Sequence, residues 1–316
     1  MKTKRIYINN EKEIKFTFKQ NRYDFIVDEI PLKKWSGRGN FLILKIKKVF
    51  TSTWELLSII SKTLNIAEHQ IGYAGLKDKN ATTTQYISIP LNKSRDYKLL
   101  NSKNIEVLAT YRDDQKLKIG DLEGNRFKIT IKDINPDDLT LIYNRISQIQ
   151  KHGIPNYYGF QRFGKDDKFE KTKALIYGEE YQNDKKLDKF MKFTYQSYFF
   201  NGWLAKRVEI SKEKDSKKLV ILDGDIFKDK NKKTITGLLP GRKVQRATSK
   251  AAMIEKNFDD IFIHEKGSRR DAWIYPKDIK NNYNSEKKSM LLSFSLPKGS
   301  YATVLIESLA NLNYGY

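Results

Sequence analysis

The order of apolar and polar positions along this chain predicts a mixture of strands and helices. Phe41-Leu42-Ile43-Leu44-Lys45-Ile46-Lys47 ends in apolar–basic alternation, the two-residue period of a strand with one solvated face. Thr53 then reads as the N-cap of a helix reaching about residue 64, with Trp54, Leu57, Ile60 and Leu64 at helical spacing. Further strands are predicted over residues 86–89, 105–108 and 127–131, where β-branched and aromatic residues recur.

The strongest helix signal covers residues 136–151. Asn135 is placed to cap it, Pro136 suits the first helical position, and Asp137 and Asp138 face the positive end of the helix dipole. Leu139, Ile142, Ile146 and Ile149 form its apolar stripe, and Gly153 followed by Pro155 stops it. The text from about 154 to 270 is richer in helix-like, lysine-dense segments, with a turn at Leu239-Pro240-Gly241. After Arg269-Arg270 strand-like text returns, including the uncharged Met290-Leu291-Leu292-Ser293-Phe294-Ser295-Leu296, and a last helix is expected over 302–312. Domain boundaries are therefore expected near Gly153 and Arg270.

Composition narrows the chemistry. The 316 residues contain no cysteine, which removes disulfides, thiolate metal sites and a thiol nucleophile. The three histidines, His69, His152 and His264, are too dispersed for a paired metal motif, while a carboxylate-bound magnesium stays open. No apolar run approaches the roughly 20 residues of a membrane span. The N-terminal Met-Lys-Thr-Lys-Arg is not followed by a signal-peptide apolar region, so the expectation is a soluble, cytoplasmic chain. Sixty Lys and Arg against 38 Asp and Glu leave a formal charge of +22. Such an excess points to a polyanion, with nucleic acid ahead of a membrane surface, and compositional drift remains the competing explanation.

Four stretches carry candidate chemistry. Ala74-Gly75-Leu76-Lys77-Asp78-Lys79-Asn80-Ala81 sets one carboxylate between two lysines, as a solvated turn or as a nucleophile held ionised by its flanking cations. Gly124-Asn125-Arg126-Phe127 opens a strand and offers either a turn and a core residue or an amide beside a stacking face. Asn156-Tyr157-Tyr158-Gly159-Phe160-Gln161-Arg162-Phe163-Gly164 interleaves aromatics with Arg162, as an aromatic mini-core or an RNA-stacking element. Ser300-Tyr301-Ala302-Thr303 is by itself a helix start.

Taken together and in this order, these stretches resemble the tRNA pseudouridine-13 synthase family of the TruD type. The resemblance covers Asp78 and its flanks, the Gly-Asn-x-Phe element, the aromatic–Arg signature with Tyr158 where Phe is usual, and Leu296-Pro297-Lys298-Gly299-Ser300-Tyr301-Ala302-Thr303 with Tyr301 for Phe. Lys19, ahead of Asp24-Phe25-Ile26-Val27, falls at the family's active-site lysine.

The resemblance implies an α+β fold: a pseudouridine-synthase core with a mixed, largely antiparallel sheet built from both chain ends, residues 1–152 and 271–316, and an inserted α/β domain at 153–270. It implies isomerisation of uridine to pseudouridine at position 13 in the D arm of tRNA, without cofactor or metal, on a nucleotide flipped out of its stack. Asp78 is the implied catalytic aspartate. Lys19 is expected to pair with it, Phe127 to stack on the base, Asn125 to shape the adjoining turn or bond the base, and Tyr301 to line the pocket. Lys77, Lys79 and Arg162 are expected toward the RNA. The expected partner is tRNA, the chain is expected to be monomeric, and the excess charge is expected along a tRNA-sized cleft leading to Asp78. A non-catalytic basic RNA-binding or chaperone module is the alternative, and a magnesium-dependent nuclease a remote third.

Overall fold

The computed structural model describes residues 4–8, 12–19, 21–163, 169–229, 231 and 234–313, the side chain of Lys186 excepted. Two compact units divide the chain. One comprises Lys15–Leu139 with Lys277–Gly299, the other Met1–Ile14 with Thr140–Pro276 and Ser300–Tyr316.

The first unit opens with β1 (Thr17–Phe18), β2 (Phe25–Pro31) and β3 (Phe41–Val49), followed by helix α1 (Thr53–Leu64). Then come β4 (Gly72–Tyr73), β5 (Thr82–Pro90), β6 (Ile105–Asp113) and β7 (Leu122–Lys132). The chain continues through α2 (Leu139–His152), β8 (Ile154–Pro155), α3 (Phe169–Tyr177), α4 (Lys185–Glu213), β9 (Thr236–Leu239), α5 (Ser249–Glu255), β10 (Ser268–Asp271) and β11 (Trp273–Ile274). It returns to the first unit with β12 (Lys277–Asn284) and β13 (Ser289–Pro297), and ends in α6 (Ala302–Ala310). The fold is α+β, as the resemblance implies.

The first unit is built on one nine-stranded sheet in the order β12-β13-β7-β2-β5-β3-β6, with β1 added to β7 and β4 to β5. Among the described strand pairs of this sheet only β2 with β5 is parallel. Alternation in β3 sends Leu42, Leu44 and Ile46 to one face, where they pack with Leu56, Leu57, Ile60 and Leu64 of α1 and with Ile87 and Ile89 of β5. Ser52 caps α1, not Thr53: its hydroxyl accepts the Glu55 N–H at 3.1 Å, and the Glu55 carboxylate accepts the Ser52 N–H at 2.7 Å. This reciprocal capping box satisfies two of the first-turn N–H groups and leaves the Thr53 hydroxyl for other use. Leu56 takes the buried place expected of Trp54, which is 46% exposed.

The second unit gathers around α4, whose Phe200, Trp203, Leu204 and Val208 pack with Ile235 of the β9 approach, Trp273 of β11 and Val304 of α6. The units part at 14/15, 139/140, 276/277 and 299/300, whereas the expected boundaries are at 153 and 270. Both chain ends therefore lie in the second unit, for an electrostatic reason. Arg5 donates two bonds of 2.6 Å to the Glu307 carboxylate in α6, and the Tyr7 hydroxyl donates to the same carboxylate. All three side chains are buried, so neither charge can be left unpaired without a large desolvation penalty. The backbone adds Ile14 N–H to Ala310 O at 2.9 Å. The 136–151 helix signal resolves into a 3-10 turn at Pro136–Asp138 leading into α2. Its stripe also buries Arg145, whose guanidinium donates to the carbonyls of Leu309 and Lys12.

Candidate active site

Asp78 lies on the loop between β4 and β5, and that loop is fixed by bonds on both sides of it. Upstream, the Gly120 N–H donates to the Ala74 carbonyl at 2.8 Å. The Lys77 N–H donates to the Thr53 hydroxyl at 2.9 Å, and Thr53 in turn donates to the Gln85 side-chain carbonyl at 3.1 Å. The Lys77 ammonium is buried and pairs with Glu29 of β2, whose other oxygen accepts the Tyr86 N–H at 3.1 Å. Downstream, the Lys79 ammonium meets the Glu55 carboxylate at 2.6 Å. That bond, with the Ser52 N–H, holds the Glu55 carboxyl down to about 2. Asp78 itself is exposed between these anchors.

Strand register builds the surface beside the loop. Lys48 pairs with Thr83, Thr83 with Val27, Val27 with Phe127, and Phe127 with Phe294, a single row across β3, β5, β2, β7 and β13. At about 4.8 Å per strand, Lys48 and Phe127 stand roughly 14 Å apart along that row. One step away on the same face lie Gln85, Glu29 and Asn125, because side chains repeat every second residue. Gly124 is required beside them: a Cβ there would sit 2.1 Å from the Leu296 carbonyl oxygen of the neighbouring strand.

Three buried polar atoms on this face, Thr83 Oγ1, Gln85 Nε2 and Asn125 Oδ1, have no hydrogen-bond partner among the described residues. Buried polar groups are paired in the great majority of native cases. Here they leave unspent donor and acceptor capacity inside the face that adjoins the anchored Asp78 loop.

The residues expected from sequence are distributed as follows. Asp78, Lys77, Lys79, Asn125, Phe127 and Lys19 all belong to the first unit, Tyr301 and Arg162 to the second. The Lys77 side chain, expected toward RNA, is only 5% exposed and is ion-paired with Glu29. Lys79 is exposed. Phe127 is buried, stacked on Phe294 with ring centres 5.6 Å apart and edge-on to Phe25 at 6.1 Å. Lys19 is exposed just after β1, which pairs with the far end of β7 (Phe18 opposite Ile131). Among the described residues its ammonium forms no ion pair, with Asp78 or any other carboxylate.

In the second unit Tyr301 precedes α6 and meets Tyr158 edge-on at 5.9 Å. The Arg162 guanidinium lies over Tyr158 at 5.4 Å and over Phe190 at 5.3 Å, with its Nε donating to Ser197 at 3.2 Å. Gly159 makes this packing possible, since a Cβ there would lie 2.6 Å from Thr303 Oγ1. Gly164 of the aromatic–Arg signature lies outside the described residues.

Glu29, Thr53, Glu55 and Lys48 are the site residues that sequence reading did not single out. Lys48 had a signal. Its parity matches Leu44 and Ile46, not Lys45 and Lys47, so a strand at 41–49 must turn it toward the apolar face. It is fully buried there, at 0% exposure.

The tRNA pseudouridine synthase D (TruD) family profile matches residues 3–183 and 228–309. The chain belongs to the tRNA pseudouridine synthase D family. It is thereby an enzyme of the pseudouridine synthase class. The tRNA pseudouridine synthase D of Wolinella succinogenes is 36% identical over 353 aligned residues, covering 97% of this chain and 98% of the relative. That of Sulfurimonas denitrificans is 37% identical over 351, again covering 97% and 98%. A crystal structure named for tRNA pseudouridine synthase D of Methanosarcina mazei superposes with a TM-score of 0.72. It covers 98% of this chain and 96% of its own at 23% identity, which bears on the fold alone. Among the described residues no helix is long and apolar enough to cross a membrane, and no three His, Cys, Asp or Glu side chains cluster as metal ligands do.

Proposed function

We propose that this chain converts uridine to pseudouridine at position 13, in the D arm of tRNA, with Asp78 as its catalytic carboxylate. The observation that carries the reading is the exposed Asp78 on a loop anchored by Lys77 and Lys79, beside a sheet face with unpaired polar atoms. The reaction is an isomerisation: the bond from ribose C1′ to uracil N1 breaks, the base turns, and C1′ bonds to C5. The proton displaced from C5 leaves and N1 acquires one, so no oxidant or group donor is needed. A stacked base cannot rotate in this way, and the nucleotide must leave the helix before cleavage. Asp78 assists the cleavage, as attacking group or as charge partner.

Phe127 offers the aromatic face along which the base turns, and Asn125 an amide oxygen for its edge or for the backbone. Tyr301 is assigned to the uracil pocket on the family resemblance, and Arg162 to bracing Tyr158. The sheet-bearing unit is proposed as the catalytic domain and tRNA as the partner. The protein is proposed to act as a monomer in the cytoplasm.

The test is direct. Unmodified tRNA incubated with the purified protein should acquire pseudouridine at position 13, read by base-resolved mapping. No pseudouridine anywhere in the tRNA overturns the reading. Phe127 supplies a second check. Base stacking is worth about 1–3 kcal/mol, so Phe127→Ala should slow single-turnover conversion by roughly tenfold or more while Phe127→Tyr stays close to the parent. Denaturant melts run alongside separate slowing from unfolding, and equal rates for the two variants would argue against a stacking role.

A further inference from the structure

We propose that Lys48 is the positioning residue for Asp78: its buried ammonium ties the Asp78 loop to the β3–α1 turn and holds the catalytic carboxylate in register. The inference rests on the reading of Asp78 given above. Lys48 Nζ donates to the Thr51 carbonyl and, at 3.3 Å, to the backbone carbonyl of Asp78. One cation therefore bonds two separate segments, the turn entering α1 and the loop carrying the aspartate. That turn is itself unusual. Phe50 has φ +53°, a left-handed conformation that bulky residues rarely adopt and that persists only where surrounding contacts impose it. The bond from Lys48 to Thr51 lies one residue past Phe50 and is such a contact.

Burial excludes the other roles open to a lysine. With 0% exposure the ammonium can reach neither a phosphate nor a base. Its charged surroundings are the Asp78 carboxylate and Lys77 on the loop and Glu55 on α1. Its cross-strand neighbours, Thr83 in β5 and Ile105 in β6, are uncharged. Burial dominates this balance and lowers the Lys48 amine to about 8, against the opposing pull of Asp78. A lysine held this way is less stable charged than it would be in water, and an apolar side chain of similar length would fit the site more cheaply. A buried, perturbed lysine bonded to the loop of a catalytic acid marks function over stability.

The sign of the pH effect follows. The amine titrates lower in the folded chain than in the unfolded one. Below about 8 both states carry the proton, and the buried charge weakens the fold. Between about 8 and the ordinary lysine value near 10.5 the unfolded state binds more protons, so stability rises with pH. Activity should move the opposite way, because the neutral amine is a weaker donor to the Thr51 and Asp78 carbonyls and no longer attracts the Asp78 carboxylate.

The experiment is a single-turnover rate profile from pH 6 to 10 on tRNA, for the parent, Lys48→Met, Lys48→Arg and Asp78→Asn, with tRNA affinity and thermal melts measured on each. The expected parent profile falls above an apparent pKa near 8. Lys48→Met should be at least tenfold slower at pH 7, lack that limb, bind tRNA within about threefold of the parent, and melt no lower. Lys48→Arg should keep a larger share of the rate and lose the limb, because guanidinium stays charged throughout. A Lys48→Met protein that is as fast as the parent, or that retains the limb near 8, overturns the proposal. Parallel loss of rate and melting temperature assigns Lys48 a structural role and overturns it as well. Should neither Lys48 variant fold, the parent profile decides, and the absence of a limb near 8 overturns the inference. Inactivity of the parent at every pH, or an active Asp78→Asn, strikes at the proposed function instead, so the two failures are distinguishable.

Discussion

Asp78→Asn is expected to abolish pseudouridine formation while leaving the protein folded and bound to tRNA. The side chain is exposed, and exposed substitutions away from structural features usually stay within about 0.5 kcal/mol of the parent. The loop is also held in place by groups other than that carboxylate. Its anchors are the Lys77 N–H, the Lys77 and Lys79 ammonium groups and the Asp78 backbone carbonyl, all of which Asn preserves. The reaction does depend on it. An amide cannot supply the negative charge or the attacking oxygen, and removing such a group should slow conversion by a thousandfold or more, roughly 4 kcal/mol of lost transition-state stabilisation. The measurement is base-resolved mapping on tRNA with both proteins, beside filter binding. An Asp78→Asn protein that still modifies tRNA removes Asp78 from the chemistry. Loss of binding and activity together would place it in the RNA interface.

The second large effect lies one residue earlier. Lys77→Met should destabilise the sheet-bearing unit by about 3–5 kcal/mol, since removing one partner of a buried pair leaves the other charge uncompensated. Here the stranded group is Glu29, buried at 5% exposure and still accepting the Tyr86 N–H. The double variant Lys77→Met, Glu29→Gln should recover most of the loss. Glutamine keeps an oxygen for the Tyr86 N–H, and no unpaired charge remains. Urea midpoints of the parent, the single and the double variant test this. A Lys77→Met protein as stable as the parent would show that the pair contributes no more than a surface ion pair does. The double variant also separates bracing from charge, since restored stability with slow conversion would mean that Lys77 holds the loop in place as well as neutralising Glu29.

Local signals were sufficient for most elements: β3, α1, β5, β7, β13 and α6 all lie where periodicity put them, with ends shifted by a few residues. Ser52 and Thr53 carry the same capping chemistry, and only the bond from the Glu55 N–H to the Ser52 hydroxyl separates them. Asp78 was legible through its motif. The partners around it were not. Lys77 reads as one of two lysines flanking an aspartate, and nothing local distinguishes the one that is buried from the one that is exposed. Its partner Glu29 is 48 residues away. A motif gives order along the chain and not distance across a sheet, so it could not say which partners close around Asp78.

By itself the sequence determined the alternation of strands and helices, the absence of thiol chemistry, the basic excess and the ordered motifs that place Asp78 in its family. Each of these depends on residue type, spacing or count, quantities present in the unfolded chain. Only the tertiary structure decided which charges are buried, which carbonyls anchor the Asp78 loop, and that both chain ends pack with the middle segment through Arg5, Tyr7 and Glu307. The physical reason is the range of the forces concerned. Backbone periodicity and capping act within a few residues, whereas desolvation of Lys48, Lys77 and Glu307 exists only after strands distant in sequence have closed over them.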